Sequence, residues 1–179
     1  GMKAQQHPEN LLVLHAARDL GRPVKWVDDR SGAFVSDCQG RDMLARAELA
    51  LDADGTFLAL RIEMFGNLGA YATGFGPVMP AVNIQKNTPS LYRTPLIAIH
   101  SRCVYTNTVP IGPYRGAGRP EGNYIMERLV DAAARETGRD RVELRRRNLI
   151  PQEAIPYRAA SGLEYDSGDF PAVLDAALS

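Results

Sequence analysis

Apolar and polar residues alternate most regularly between positions 43 and 65. From Met43 to Asp52, Ala45, Ala47, Leu49 and Leu51 fall on one side, with Arg46 and Glu48 on the other. From Thr56 to Phe65, Leu58, Leu60, Ile62 and Met64 alternate with Arg61 and Glu63. Asp54-Gly55 between the two runs is a turn pair, so the pattern predicts an antiparallel hairpin with one wet face. A third alternating run, Leu96 to Thr106, predicts another strand, and Val24 to Val27 a short one. Helical spacing takes over elsewhere. Pro8 to Leu20 places Val13, Ala17 and Leu20 on one face and ends at Gly21, a ready C-cap. Glu121 to Thr137 carries Ile125, Leu129, Ala132 and Ala133 at helical spacing and ends at Gly138. Asp140 and Glu143 form a capping-box pattern for a helix ending near Asn148, and Phe170 to Leu178 begins another. Asp28 to Gly32 is turn chemistry, Ala33 to Gly40 fits no single period, and Pro151 to Gly168 reads as loop. Gly66 to Pro95 reads as a long irregular segment, too apolar for disorder and expected to be ordered against a partner or ligand. The expected fold class is α+β, with antiparallel strand pairs packed with helices.

One stretch fits neither period. Val109 to Glu121 holds three glycines and three prolines, immediately before the best helical pattern. Gly116 and Gly118 have no Cβ, so a ligand can come close to the backbone there. Arg115 and Arg119 add two permanent cations with forked donors. Pro120 suits the first turn of the following helix. Two readings stand side by side: an anion-holding turn at a helix start, or a tight strand-to-helix connection whose arginines face solvent.

Composition narrows the partners. The 179 residues suit one domain or part of a larger one, and 21 basic residues balance 21 acidic ones, so charge gives no push toward nucleic acid or an acidic membrane. No apolar run approaches the ~20 residues of a membrane span. Cys38 and Cys103 are two, far apart and in no ligand-spaced motif, which fits a reduced, cytoplasmic protein without structural zinc. His7, His15 and His100 have no companions at ligand spacing, so no metal site is expected from side chains. No G-x-S-x-G elbow or Walker A loop is present, and Gly66-Asn67-Leu68-Gly69 does not open a clean helix. Arg141, Arg145, Arg146 and Arg147 read as a solvated helix face. Glu121 and Glu127 are general-base candidates, although an acidic residue at a helix start is ordinarily electrostatic stabilisation.

Thr106-Asn107, Tyr114-Arg115-Gly116-Ala117-Gly118-Arg119-Pro120-Glu121-Gly122 and Glu143-Leu144-Arg145-Arg146-Arg147-Asn148-Leu149 together resemble the molybdenum hydroxylase family. These are the large subunits of xanthine dehydrogenase, aldehyde oxidase and carbon monoxide dehydrogenase relatives. Gly21-Arg22-Pro23-Val24 and Asp54-Gly55-Thr56 extend the resemblance, and Gly1-Met2-Lys3 is similar to the end of the family's cofactor loop. The resemblance implies that residues 1–179 are part of a molybdopterin-binding domain whose second cofactor-binding half is absent. It implies a molybdopterin cofactor carrying molybdenum, as a cytosine dinucleotide in bacterial members, and oxidative hydroxylation of an aldehyde or N-heterocycle. Electrons would leave through iron–sulfur and FAD subunits or domains. By motif position, Tyr114, Arg115 and Gly116 would bind the cofactor, with Gly1 facing them, and Ala4, Ala117 and Gly118 would line the substrate pocket. The general-base Glu belongs to a downstream motif that these residues do not contain, so the expectation is no catalytic residue here, no bound cofactor and no turnover by the chain alone. Homo-oligomerisation through uncovered surface around Tyr71 to Val82 is a further expectation, and a non-catalytic binding or assembly module the rival reading.

Departures from the family pattern bear on substrate. Ala4 follows Lys3 where purine hydroxylases carry Glu, Ala117 stands where they place a stacking Phe, and Pro77 to Gln85 contains no Arg. Gly116 stands where copper-using carbon monoxide dehydrogenases have Cys. The resemblance therefore points away from xanthine and from a copper site, toward carbon monoxide dehydrogenase-like large chains without the active-site Cys.

Overall fold

The computed structural model describes residues 6–179. Gly1 and Ala4, both expected at the site, lie outside the described residues. A three-stranded sheet, β1 (Met43–Leu51), β2 (Phe57–Gly69) and β3 (Leu96–Tyr105), has the order β1-β2-β3. The β1–β2 hairpin forms as the alternation predicts, closed by the 52–56 turn in which the Asp52 side chain accepts from the N–H groups of Asp54 and Thr56. On its wet face Glu48 lies directly opposite Arg61 and pairs with it.

One detail departs from the simple alternation. Ala50 pairs with Ala59 but Leu51 pairs with Phe57, so β2 carries an extra residue there. The bulge turns Phe57 inward and leaves Leu58 43% exposed, whereas the sequence pattern grouped Leu58 with the buried Leu60, Ile62 and Met64.

β3 runs parallel to β2, not antiparallel, with Ala59 opposite Leu96 and Gly66 opposite Cys103. A parallel pair needs a crossover, and residues 70–95 supply it. The segment read as irregular holds a π-helical turn, Met79–Asn83, running directly into a short helix α3 (Ile84–Asn87). Its prolines hid it: Pro80 sits in the first turn, where a missing N–H is tolerated, and Pro89 follows the end.

Helix α4 (Arg119–Thr137) lies against this sheet, burying Met126, Val130, Ala133 and Ala134 with Phe57, Leu60, Ile62, Met64 and Ile84. Ile125 and Leu129, at helical spacing in the sequence, are partly buried beside them. Gly138 ends α4 in a left-handed conformation. Asp140 then caps α5 (Arg141–Asn148), accepting from the N–H groups of Val142 and Glu143.

Two motif residues of α5 are structural. Asn148 is 1% exposed. Its Oδ1 accepts from the Phe57 N–H at 2.8 Å, and its Nδ2 donates to Gly55 O and Leu144 O, both at 2.9 Å. Arg145, read as part of a solvated face, instead bonds Glu127 and Asp131 of α4, with Tyr92 Oη donating to the other Glu127 oxygen at 2.7 Å. Burial, followed by that bond to Glu127, pushes the Tyr92 phenol up. The hydrogen bond from Arg145 holds Asp131 below the usual carboxylate range.

Helix α1 (Pro8–Leu20) ends at a left-handed Gly21 as expected but buries no residue, leaving Leu11, Leu12, Leu14 and Leu20 exposed. Val24 to Val27 forms no strand. Asp29 caps a second helix, α2 (Arg30–Ser36), where turn chemistry was expected. The 151–168 segment contains a two-residue ladder, β4 (Tyr157–Arg158) with β5 (Glu164–Tyr165), before α6 (Phe170–Leu178). The α+β class holds, with a mixed rather than purely antiparallel main sheet. Among the described residues, no helix is long and apolar enough to cross a membrane.

Candidate functional site

The Gly-rich stretch leaves β3 and reaches α4 through a backbone bend fixed from three sides. On the incoming side, Gln39 N–H donates to Pro110 O at 3.0 Å and Gly112 N–H to Gln39 O at 2.8 Å, while Ile111 N–H donates to Leu68 O and Thr73 Oγ1 to Ile111 O. A polar cluster braces the strand ends beneath: Thr106 Oγ1 donates to Asn67 Oδ1, and Asn67 Nδ2 donates to Asp42 Oδ2 and Thr108 Oγ1. Thr106 of the Thr-Asn motif is thus a scaffold residue.

At the bend, three consecutive residues are left-handed: Gly116 (φ +90), Ala117 (φ +45) and Gly118 (φ +98). Ala117 N–H closes onto Tyr114 O at 2.7 Å, and Arg119 N–H onto Gly116 O at 3.0 Å. A Cβ at Gly118 would lie 2.9 Å from Met79 O and 3.2 Å from Asn83 Cβ, so only glycine lets the bend seat on the π-helical turn. Asn83 reaches from that turn and donates to Ala117 O at 2.8 Å. The third hold is Arg41, itself left-handed at φ +60. Its Nη2 donates to Arg115 O at 2.6 Å, its Nη1 pairs with Glu121 Oε2 at 2.9 Å, and its Cζ stands 4.7 Å above the Tyr114 ring.

Of the sequence-predicted residues, the structure brings Tyr114, Arg115, Gly116, Ala117 and Gly118 into one bend. Tyr114 is 49% exposed and Arg115 exposed, and the Arg115 guanidinium makes no hydrogen bond or ion pair among the described residues. The N–H groups of Arg115 and Gly116 likewise have no acceptor among the described residues. Tyr114 and Arg115 face solvent, Gly116 and Ala117 are half-buried, and Gly118 is buried against the π-helical turn. Bare backbone, free amides and a free guanidinium together are a donor set suited to an anionic, oxygen-rich group, so the residues present fit a phosphate-bearing pterin.

Glu121, a base candidate in the sequence, is occupied by Arg41 and sits 12% exposed at the start of α4. Glu127, the other, is committed to Arg145 and Tyr92. Sequence reasoning missed Arg41 and Asn83. The only signal for Arg41 was its place after Gly40, and Asn83 was hidden in the segment read as irregular. His7, treated as isolated, is buried with Nδ1 4.0 Å from Glu9 and 3.9 Å from Asp37, close enough for the three to share a cation.

A groove of about 710 Å³ runs between β1 and α4, floored by Met43, Ala45, Ala47, Ile125 and Leu129. Arg41, Pro120 and Glu121 line one end of it, and Arg115 and Gly116 are not among its walls.

Comparison with known proteins places this architecture. The family model described as the molybdopterin cofactor-binding domain matches residues 1–149. The gamma subunit of the 6-hydroxypseudooxynicotine dehydrogenase complex of Paenarthrobacter nicotinovorans is 36% identical over 178 residues, covering 94% of this chain and 22% of that protein. The carbon monoxide dehydrogenase large chain of Hydrogenophaga pseudoflava is 34% identical over 180 residues, covering 99% and 22%. Quinoline 2-oxidoreductase from Pseudomonas putida 86 superposes with a TM-score of 0.93 at 34% identity, over 98% of this chain and 22% of that one. The chain spans about a fifth of the length of these relatives. It belongs to the molybdopterin cofactor-binding domain family of molybdenum hydroxylase large subunits.

Proposed function

We propose that this chain forms one wall of the cofactor and substrate site of a molybdenum-containing hydroxylase or dehydrogenase. The observation that carries the reading is the bend at residues 114–118, where the Arg115 and Gly116 amides and the Arg115 guanidinium have no partner among the described residues. Tyr114, Arg115 and Gly116, together with Gly1, would bind and orient a molybdopterin, in the cytosine dinucleotide form. When bound, that group supplies the oxidative hydroxylation chemistry at an electrophilic carbon. The chain's own residues hold it: Arg115 supplies charge, the amides supply directional donors, and the left-handed backbone keeps side chains out of the way.

Ala4, Ala117 and Gly118 belong to the substrate side; Ala117 offers no stacking ring to a purine, while Gly118 seats the bend on the π-helical turn, where a Cβ would meet Met79 O at 2.9 Å. The helical turn 79–87 touches the bend through Asn83 and Gly118 and carries no Arg, which supports a non-purine substrate. Substrate names among the relatives include nicotine, nicotinate, 6-hydroxypseudooxynicotine and quinoline alongside carbon monoxide and xanthine, so N-heterocycles recur among them and support that half of the aldehyde-or-N-heterocycle reading. Iron–sulfur and FAD subunits or domains take the electrons, in the cytoplasm, and the general base comes from sequence outside these residues.

The test is metal and pterin analysis of the full-length gene product and of the 179-residue chain, each expressed with the molybdenum sulfuration machinery. The reading expects about one molybdenum per full-length polypeptide, none on the short chain, and turnover of N-heterocycles over purines. A full-length protein devoid of molybdenum would instead make this a binding or assembly module.

A further inference from the structure

Among the described residues, Arg41 touches the bend, the ring beside it and the helix after it. Its guanidinium uses both edge and face: Nη2 to Arg115 O at 2.6 Å, Nη1 to Glu121 Oε2 at 2.9 Å, and the flat face 4.7 Å from the Tyr114 ring centroid. The Glu121 carboxylate is largely covered at 12% exposed while the Arg41 side chain stays 33% exposed, so the pair is covered from one side only and solvent weakens it in part. The left-handed backbone of Arg41 is a conformation a non-glycine side chain rarely takes, and it turns this residue away from the β1 ladder toward the bend.

The consequence follows from peptide geometry. Arg115 C=O and Gly116 N–H belong to one trans, planar peptide, in which the carbonyl and the N–H point in opposite directions. Drawing the carbonyl toward Arg41 therefore aims the Gly116 N–H the other way, where it has no acceptor among the described residues. We propose that Arg41 is a positioning residue that orients the 115–116 peptide and so presents the Gly116 amide, and Arg115 beside it, to an oxygen acceptor on the bound ligand. This rests on the proposed cofactor reading for the identity of that ligand, but not for the orientation itself. Lysine cannot substitute, since a point ammonium lacks the planar fork that spans a carbonyl and a carboxylate while stacking on a ring.

The test uses the full-length protein with Arg41→Met and Arg41→Lys. Amide exchange of Ala117 and Arg119, whose N–H groups close the bend, is followed by mass spectrometry on cofactor-free protein, and molybdenum per polypeptide on loaded protein. The expected result is exchange of both amides faster by roughly tenfold or more in both variants, the factor that 1.4 kcal/mol corresponds to. Leu60 and Ile62 of β2 should keep their protection, and molybdenum occupancy should fall severalfold. Unchanged exchange in Arg41→Met overturns the proposal, as does wild-type exchange and occupancy in Arg41→Lys, which would mean that charge alone suffices. Should Arg41→Met also loosen β2, the milder Arg41→Lys decides. If the wild-type full-length protein holds no molybdenum, the proposed function falls while the exchange result still decides the role of Arg41.

Discussion

Replacing Asn148 tests how the most specific part of the sequence signature is used. Its side chain ties the turn after β1, the first residue of β2 and the last turn of α5 through three bonds of 2.8–2.9 Å, in a site 1% exposed. Asn148→Ala removes all three, at about 1 kcal/mol each, and strands the buried Phe57 N–H, which alone costs roughly 1–3 kcal/mol. Counting the stranded Phe57 N–H once, in the lower half of that range, with about 1 kcal/mol for each of the two bonds that Nδ2 donates, the expected loss is about 3–4 kcal/mol. With a urea m-value of roughly 2 kcal/mol/M for a chain of this size, the midpoint should drop by about 1.5–2 M. Asn148→Asp separates the two halves of the clamp. It keeps the acceptor for Phe57 N–H but turns oxygens onto Gly55 O and Leu144 O, and burial raises that carboxyl in the folded state. A raised pKa means stability present at low pH and lost as pH rises, so the Asp variant should be least stable near neutrality. Circular dichroism during urea titration reads both. A loss under 1 kcal/mol for Asn148→Ala, with an unchanged m-value, would refute the clamp and leave the motif without a structural reason.

Three further outcomes follow from the geometry. Gly118→Ala places a Cβ 2.9 Å from Met79 O at φ +98, so it should cost roughly 2 kcal/mol or more and lower molybdenum content in the full-length protein, measured by urea unfolding and metal analysis. The Tyr92–Glu127–Arg145–Asp131 network sets two pH limbs. Asp131, held low by Arg145, contributes stability present above the unfolded carboxylate value near 3.9 and lost as pH falls below it, while Tyr92, pushed up by burial, contributes stability lost as pH rises past about 10. Arg145→Leu should flatten the acid limb and Tyr92→Phe the alkaline one, in thermal melts across pH. Tyr71, Phe75 and the α1 leucines are half or more exposed, so the 179-residue chain alone should elute above monomer size on gel filtration, and a sharp monomer peak would contradict this.

What the sequence makes legible here is what short-range chemistry decides. Asp54-Gly55, the Gly21 and Gly138 stops and the Asp140 cap each act within a few residues, and each lies where the pattern puts it. The direction of β3 is not such a property. Its alternation is the same whichever way it pairs, and the crossover that makes it parallel passes through a helix disguised by Pro80 and Pro89. The Leu58 bulge is likewise invisible to a period of two, because one extra residue reverses the phase without changing the composition. Arg145 failed as a surface cation because α4, carrying Glu127 and Asp131, comes to it from 14 to 18 positions earlier in the chain.

The site divides along the same line. Tyr114 to Gly118 could be singled out because glycine and arginine beside a helix start have a local meaning. The residues that give the bend its direction could not. Arg41 lies 74 positions from the carbonyl it holds and Asn83 lies 34, and neither belongs to a motif. The signature itself splits between two tasks, since Thr106, Arg145 and Asn148 spend their side-chain polar atoms on the fold, while the Arg115 guanidinium and the Arg115 and Gly116 amides spend none among the described residues. Buried polar groups without partners are costly, so a folded chain leaves donors idle only where solvent or a ligand can reach them. Unspent donors on an otherwise braced bend, within reach of solvent, are what the proposed cofactor contact would use.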